Sequence, residues 1–149
     1  MGVASEGGMG AGETPTQPLV ATMAPFFIVA NLSCSLAFYR DRLGFALTHL
    51  AGEPAPFLAL VQREGAMLFL KSEAGIAPVP NAARHPNLRW DAYCAVTDPD
   101  ALAAEYDARG VPLSTPLSDT ADGLRGFEVT DPDGRVLFFG RPADQPRPR

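Results

Sequence analysis

An internal repeat with a period of 67 to 69 residues constrains the fold of this chain more than any other feature. The segment TDPDGRVLFFG at residues 130–140 has the pattern of a tight turn followed by a strand, and QREGAMLFLKS at 62–72 has the same pattern. Each copy places a phenylalanine, Phe69 or Phe138, at the same offset after its turn glycine. A chain of 149 residues is expected to form one domain. Two copies of one hairpin therefore predict two copies of one structural module within it.

The elements that precede each hairpin repeat as well. Asn31 and Asp98 both open predicted helices 67 residues apart, and Tyr39 and Tyr106 keep this offset. Ser33 is a candidate N-cap of the first helix, because a serine side chain can accept a hydrogen bond from an orphan helix amide. The pattern predicts an α+β fold of two tandem βαβββ modules. One such module covers only one face of its sheet with a helix, so a pair can curl their sheets around a shared cavity.

The repeat also fixes the predicted boundaries and strand alignment. At an offset of 69, residues 57–61 align with 126–130, and residues 67–70 align with 136–139. The two ends are rich in Gly, Pro, Ser and Thr and have little to bury, so we expect disordered tails. The prediction is a tail at 1–21, module one at 22–73, a loop at 74–87, module two at 88–141 and a tail at 142–149.

Charge and composition exclude several classes of partner. The net charge is -5, whereas a nucleic-acid binder needs a basic patch to neutralise phosphates. No apolar run approaches the ~20 residues that span a bilayer, and the first residues lack the basic and apolar regions of a signal peptide. Cys34 and Cys94 lie in predicted elements and are expected to be reduced thiols. We therefore expect a cytoplasmic protein with neither nucleic-acid nor membrane partners.

Three segments carry a family resemblance: VANLSCSLAFYRDRLGF, WDAYCAVTDPDALAAEYDARGV and GLRGFEVTDPDGRVLFFG. They resemble the vicinal oxygen chelate superfamily, which includes glyoxalase I, bleomycin-resistance proteins, extradiol dioxygenases and fosfomycin-resistance thiol transferases. The resemblance implies tandem βαβββ modules and usually a homodimer. It also implies a divalent metal on the inner sheet faces, held by up to four His or Glu ligands.

The superfamily's metal ligands are mostly missing from this sequence. The four positions that match them are Ala24, Phe69, Asp91 and Phe138. Alanine and phenylalanine donate no lone pair, and one carboxylate is too few for a catalytic site that needs about three protein ligands. The two histidines, His49 and His85, do not stand at ligand positions. We therefore predict that the protein binds no metal and needs no cofactor.

Alternation along the strands predicts which side chains face the cavity. The predicted inward residues are Phe26, Ile28, Phe57, Ala59, Met67, Phe69, Asp91, Tyr93, Glu128 and Phe138. All but Ala59 are predicted ligand contacts. The alternate residues, predicted to pack under the helices, include Phe27, Leu68, Leu70, Phe127, Leu137 and Phe139. An aromatic pocket with two carboxylates, Asp91 and Glu128, is typical of a small-molecule site. A cationic ligand group, or Arg125 in its absence, would offset the cost of burying these carboxylates.

Three hypotheses for the function follow. The first is a metal-free binding protein, similar to bleomycin-resistance proteins, that sequesters an aromatic antibiotic or metabolite which could carry positive charge. The second is an isomerase, epimerase or lyase in which Asp91 or Glu128 acts as acid or base with a raised pKa. The third is an interaction module in which Phe69 and Phe138 fill a closed core. The sequence leaves open whether one chain or two chains enclose the cavity.

Overall fold

A computed structural model describes residues 17–145 of the chain. The parts of the predicted tails at 1–16 and 146–149 lie outside these residues. The described chain forms two separate four-stranded sheets, each with a helix from its own module. None of the helices in residues 17–145 has the length and apolar character that crossing a bilayer requires.

Module one has the predicted βαβββ order. Its elements are β1 (Phe26–Ile28), α1 (Leu32–Leu36) continuing as a π-helical segment (Ala37–Arg42), β2 (Ala46–Ala51), β3 (Leu58–Arg63) and β4 (Ala66–Lys71). The strand order in the sheet is β1-β4-β3-β2. The β1 strand pairs parallel to β4, and the other neighbours pair antiparallel.

Module two repeats this topology. Its elements are β5 (Ala92–Ala95), α3 (Pro99–Ala108), β6 (Thr115–Asp119), β7 (Leu124–Thr130) and β8 (Val136–Pro142). The strand order is β5-β8-β7-β6, with β5 parallel to β8. The predicted α+β fold of two similar modules is confirmed. The connection, predicted as a loop, contains one additional short helix, α2 (Asn81–Arg84).

Local sequence signals explain where the main helices begin and end. The N-cap of α1 is Asn31, whose side chain accepts a hydrogen bond from the Cys34 amide, so the proposed cap Ser33 is wrong. Asp98 caps α3 in the same way, through the Ala101 amide. Gly44 and Gly110 follow the helices with φ of 80° and 74°, a conformation that glycine adopts without steric cost.

One buried core joins the two modules. It contains the predicted helix-facing residues of both sheets: Phe27, Leu68, Leu70, Phe127, Leu137 and Phe139. The two tyrosines of the repeat, Tyr39 and Tyr106, are fully buried in the same core. Because the helix-bearing faces of both sheets share this core, the opposite faces point outward on the two sides of the chain. We call these outward surfaces the open faces.

Reciprocal contacts between the modules reinforce this arrangement. Arg42 Nη1 donates to the Gly110 carbonyl at 2.8 Å, and Arg109 Nη1 donates to the Asp41 carbonyl at 3.2 Å. These two arginines are 67 residues apart, so the interface between modules follows the repeat in the sequence. The modules are thereby joined on their helix sides, and neither open face is used in joining them.

The hairpin turns differ by one residue, which overturns part of the predicted register. Leu60 pairs with Phe69 in module one, and Glu128 pairs with Phe138 in module two. The offset is thus 68 before the turn and 69 after it. A slip of one residue moves a strand side chain to the other face of its sheet. Ala59, predicted to face the cavity, is therefore fully buried in the core, and Leu60 occupies the open face.

Candidate ligand-binding site

Each open face carries a row of side chains that crosses all four strands of its sheet. The row of module one is Phe26, Phe69, Leu60 and His49, in the order of the paired strands. The equivalent row of module two is Tyr93, Phe138, Glu128 and Thr115. A phenylalanine stands at the centre of both rows, but the neighbours are apolar in module one and polar in module two. The repeat has therefore produced two related but chemically different surfaces.

The open face of module one is an aromatic surface accessible to solvent. Phe26 stacks on Phe69 with ring centroids 4.2 Å apart and an interplanar angle of 19°. Phe26 remains 60 % exposed. Met67 and Ile28 lie on the same face and are half-buried. Exposed aromatic surface of this kind is costly in water and typically marks a binding surface.

Lys71 and Phe57 lie at the end of this face. Lys71 continues the Met67–Phe69 side of β4, and its Nζ lies 4.7 Å from the centroid of the Phe57 ring. The ammonium also forms an ion pair with Glu73 at 2.7 Å. Phe57 is the residue before β3. The prediction that Phe57 faces inward came from the same offset of 69 that misplaced Ala59.

In module two, Gly126 and Gly140 lie beneath the ring of Phe138. A Cβ atom added to Gly126 would lie 2.5 Å from Phe138 Cζ, and one added to Gly140 would lie 2.5 Å from Phe138 Cε2. The ring therefore lies flat against the sheet in space that only glycine leaves free. Phe138 is 2 % exposed, so it is a covered ring and not itself an open contact surface.

Trp90, two residues before β5, covers Phe138. The two rings stack with centroids 4.3 Å apart and an interplanar angle of 25°. Tyr93 flanks the same ring at 5.5 Å and is 45 % exposed. The three aromatic residues form one layered cluster, in which Phe138 is the base and Trp90 and Tyr93 are the accessible members.

Glu128 lies beside this cluster with both carboxylate oxygens occupied. Trp90 Nε1 donates to Oε2 at 2.8 Å, while Arg89 Nη2 and Thr115 Oγ1 donate to Oε1 at 2.6 and 2.9 Å. Burial by itself would raise the pKa of Glu128, but these hydrogen bonds and the Arg89 charge outweigh burial and leave the pKa below its ordinary value. Glu128 is therefore an ionised, fully paired carboxylate.

The predicted pairing of Arg125 with a cavity carboxylate is wrong. Arg125 lies on the helix side of module two, where it forms a bidentate ion pair with Asp100 at 2.8 Å and a second pair with Asp119 at 3.0 Å. Arg125 and Glu128 are three residues apart in β7 and so point to opposite faces. Arg89, from the segment before β5, supplies the charge that Arg125 was expected to supply.

The carboxylate of Asp91 accepts hydrogen bonds from the backbone, whereas the sequence predicted that it contacts a ligand. Its Oδ1 accepts from the Asn81 amide at 2.8 Å, and its Oδ2 accepts from the Val136 amide at 2.9 Å. These bonds attach the start of α2 and the start of β8 to the entry of β5. The carboxylate of Asp91 is therefore engaged by the backbone at the edge of the open face.

Asp131 is the buried acid that the sequence did not single out. Its Oδ2 accepts from Tyr39 Oη at 2.7 Å, and its Oδ1 accepts from the amides of Asp133 and Arg135 at 2.9 Å. Burial raises the pKa of Asp131. It lies between the modules and organises the second hairpin turn, so it stands away from both open faces.

The side chains present at the superfamily's metal positions do not fit a metal ion. Phe69 and Phe138 occupy two positions with rings that are already stacked, and the Asp91 oxygens already accept backbone amides. Within residues 17–145, no group of three or more His, Cys, Asp or Glu side chains is arranged to hold a metal. His49 lies on the open face of module one with only the apolar Leu60 opposite it.

Two surface pockets are formed by residues 17–145, and neither includes Phe69, Phe138 or Trp90. The first, of about 540 Å³, is lined by Ala30 and residues 72–78, which belong to module one and the connection. The second, of about 480 Å³, lies between the π-helical segment of module one and residues 111–112 and 130–132 of module two. The rings of the open faces thus lie outside both pockets.

The geometry thus adds Trp90, Arg89 and Leu60 to the predicted residues. Trp90 is the single tryptophan of the chain, which is a signal that could have been used. Arg89 had no signal, because its partner Glu128 is 39 residues away in the chain. Leu60 could have been found by counting the residues in the two turns separately.

A comparison with family models now bears on this architecture. The model described as Glyoxalase/Bleomycin resistance protein/Dioxygenase superfamily matches residues 22–138. The chain belongs to this superfamily. The match covers both modules, in agreement with the resemblance found in the sequence. The comparison with curated proteins gives no match.

Several solved structures share the fold of this chain. TioX from Micromonospora sp. ML1 is 18 % identical, with a TM-score of 0.64, over 82 % of this chain and 98 % of that one. TnmS3, an antibiotic binding protein from Streptomyces sp. CB03234, is 20 % identical, with a TM-score of 0.62, over 83 % and 97 %. The bleomycin-binding protein from Streptomyces verticillus, solved with copper(II)-bleomycin, is 26 % identical, with a TM-score of 0.60, over 83 % and 97 %.

Proposed function

We propose that this superfamily member binds a flat aromatic small molecule, an antibiotic or a metabolite, and sequesters it without chemical change. The observation that carries this proposal is the pair of aromatic surfaces at the positions of the superfamily's metal ligands. Phe26 stacks on Phe69, and Trp90 stacks on Phe138. Each stacked pair presents a ring to solvent, and ring stacking contributes about 0.5–1.5 kcal/mol beyond area burial.

We further propose that the binding site forms between two copies of the chain. The open faces lie on opposite sides of one chain, because the helix sides share the core. A second copy could place its module two opposite module one of the first, which would enclose a ligand between Phe26 and Trp90. This arrangement would also cover exposed aromatic surface that a monomer leaves in water. The resemblance to a superfamily whose members are usually homodimers supports the same arrangement.

The solved relatives support the choice of ligand class. TnmS3 is an antibiotic binding protein, and the Streptomyces verticillus protein was solved with copper(II)-bleomycin. We propose that the present chain likewise binds its ligand without changing it. The case for a cationic ligand is weaker than the sequence suggested, because the carboxylates of Asp91 and Glu128 already have partners. The charge of the ligand is therefore left for the experiment to decide.

The alternative of acid–base catalysis lacks its physical basis. It requires a carboxyl whose pKa is raised toward neutrality in the site. The pKa of Glu128 is shifted in the opposite direction, and Asp91 is held by two backbone amides. A carboxylate that is already hydrogen-bonded at both oxygens is also poorly placed to take a proton from a ligand.

The test is a thermal-shift and calorimetric titration of the purified protein. The compounds are bleomycin, neutral acridine and its cationic analogue proflavine, which differ in size and charge. A ligand that binds only the folded state raises the melting temperature by mass action. We expect a rise with at least one planar compound, unchanged ligand after recovery, and a dimer in solution. No binding to any of them would contradict the proposal, and so would recovery of a converted product.

A matched pair of variants locates the binding. Phe26→Ala removes the exposed ring of module one, whereas Val79→Ala removes an exposed apolar side chain from the connection between the modules. We expect Phe26→Ala to weaken binding by about tenfold or less, since one stacking pair is worth about 0.5–1.5 kcal/mol. Val79→Ala should bind as the unchanged protein does. Equal effects of the two variants would contradict this location.

A further inference from the structure

We infer that Trp90 is the surface on which the ligand stacks in module two, and that Glu128 positions it. This inference rests on the proposed function and identifies which residues of that site meet the ligand. It differs from the prediction based on the sequence, in which Phe138 itself was the contact.

The first step is the coverage of Phe138. Its ring lies on Gly126 and Gly140 on one side and under Trp90 on the other. With 2 % of its surface exposed, Phe138 has no face left for a ligand. Trp90 is half-buried, so part of its surface remains accessible. A planar ligand that approaches this surface would extend the stack from Phe138 through Trp90.

The second step is the fixed orientation of the indole. Trp90 Nε1 donates to Glu128 Oε2 at 2.8 Å, and the Glu128 side chain is 7 % exposed. If the indole turned away, one oxygen of a buried carboxylate would lose this donor, and leaving a buried acceptor unsatisfied costs more than the bond itself contributes. The ring is therefore set in its binding orientation before a ligand arrives. Such preorganisation lowers the entropic cost of binding.

The third step is the state of Glu128 itself. Arg89 and Thr115 hold Oε1, which leaves Oε2 for the indole alone. The negative charge is neutralised by Arg89, whose side chain is 62 % exposed at the rim of the cluster. Glu128 thus acts through Trp90 as a positioning residue and need not touch the ligand.

The single tryptophan of the chain makes the inference directly measurable, because indole fluorescence reports Trp90 alone. In the protein without ligand, acrylamide quenching should increase with Glu128→Gln, because the single amide oxygen stays with the charged Arg89 and the NH2 group then faces the indole N–H. The matched control is Glu105→Gln, the same substitution in an ion pair with Arg63 on the helix side. Glu105→Gln should leave the quenching unchanged.

Binding of acridine, followed by calorimetry and by quenching of Trp90, tests the contact. Acridine should quench the indole, and Trp90→Ala should weaken binding by about two- to tenfold. Glu128→Gln should weaken binding in the unchanged background. It should have no effect in a Trp90→Phe background, which keeps a stacked ring but has no N–H to position. Trp90→Phe alone should weaken binding even if Glu128→Gln folds poorly.

The outcomes separate this inference from the proposed function. If acridine binds by calorimetry, but indole emission and the Trp90→Ala affinity do not change, the inference is wrong while the proposed function stands. If Trp90 responds and Glu128→Gln does not, Glu128 has no positioning role. If neither acridine nor proflavine nor bleomycin binds, both proposals are wrong.

Discussion

Two glycines determine how Phe138 lies in its sheet. The rings at the centre of both open faces stand at equivalent positions after the turn, but only Phe138 has glycines, Gly126 and Gly140, on the strand residues beside it. Because a Cβ at either glycine would enter the ring, these residues are fixed by packing, although their φ values are not in the left-handed region. The base of the module-two cluster thus depends on residues that make no contact with a ligand.

We expect Gly126→Ala to destabilise the protein and to disturb the stack. The added methyl would meet Phe138 Cζ and the Phe139 carbonyl oxygen, and such overpacking costs about 1–3 kcal/mol. Chemical denaturation measures the loss, and Trp90 fluorescence reports the displaced ring. Gly65→Ala is the control, because a Cβ there meets nothing within 4 Å. Equal stability of the two variants would show that the ring does not rest on Gly126.

The lowered pKa of Glu128 gives a defined dependence of stability on pH. Since the pKa is lower in the folded state than its ordinary value of about 4.5, the unfolded state binds more protons in the acidic range. The stabilisation by the Glu128 carboxylate is complete above about pH 4.5, the ordinary pKa. It is lost as the pH falls through the lower pKa of the folded state.

We therefore expect the unfolding free energies of the unchanged protein and Glu128→Gln to differ most above about pH 5 and to approach each other as the pH falls below about 4.5. Denaturant titrations across this range measure the difference. A gap that stays constant with pH would mean that folding does not lower the pKa of Glu128.

At the level of elements, the start of α1 depends on one side chain. Asn31 accepts from the Cys34 amide, whereas Ser33 is already inside the helix. We expect Asn31→Ala to cost about 1 kcal/mol, the typical value for loss of an N-cap, and Ser33→Ala to cost much less. Thermal or chemical unfolding of the two variants decides between them. A larger loss for Ser33→Ala would restore the original prediction.

The hairpins show how a small difference in an element changes the composition of a surface. The second turn has one more residue than the first between equivalent pairs, so the strand before it shifts relative to the repeat. As a result Leu60, not Ala59, faces the open side in module one, opposite Phe69. The shift places the apolar Leu60 beside Phe69 in module one, while module two has Glu128 at the equivalent position, where it accepts from Trp90 Nε1.

At the level of the whole molecule, the orientation of the modules determines where a site can form. The contacts of Arg42 with Gly110, of Arg109 with Asp41 and of Arg63 with Glu105 join the helix sides. The open faces are consequently the faces of the two sheets that point away from this shared core. An enclosed site between Phe26 and Trp90 then requires the second copy that we propose.

Complementation of defective chains tests this arrangement. Phe26→Ala damages module one, and Trp90→Ala damages module two. If each site combines module one of one copy with module two of the other, co-expression should restore full affinity at about one quarter of the sites, since about half of the dimers are mixed and each has one intact site. A calorimetric titration with acridine measures the fraction of sites that bind with the affinity of the unchanged protein. Sites formed within one chain would show no recovery on mixing.

The sequence by itself determined the two modules, their βαβββ order of elements and the equivalent positions of Phe69 and Phe138 after the two turns. These features are local: turn chemistry, helix spacing and strand alternation act over a few residues, and the repeat made each of them visible twice. The prediction that the superfamily's metal ligands are missing has the same basis, since it depends only on residue identity at matched positions.

Only the tertiary structure decided what the polar groups do. The partners of Glu128 are Arg89 and Trp90, 39 and 38 residues away, and Asp91 is held by the amides of Asn81 and Val136. No spacing rule connects such residues, because a loop can bring many different side chains to the same carboxylate. The outward orientation of the open faces was likewise decided by packing, since both helix-bearing faces bury their apolar side chains in one core.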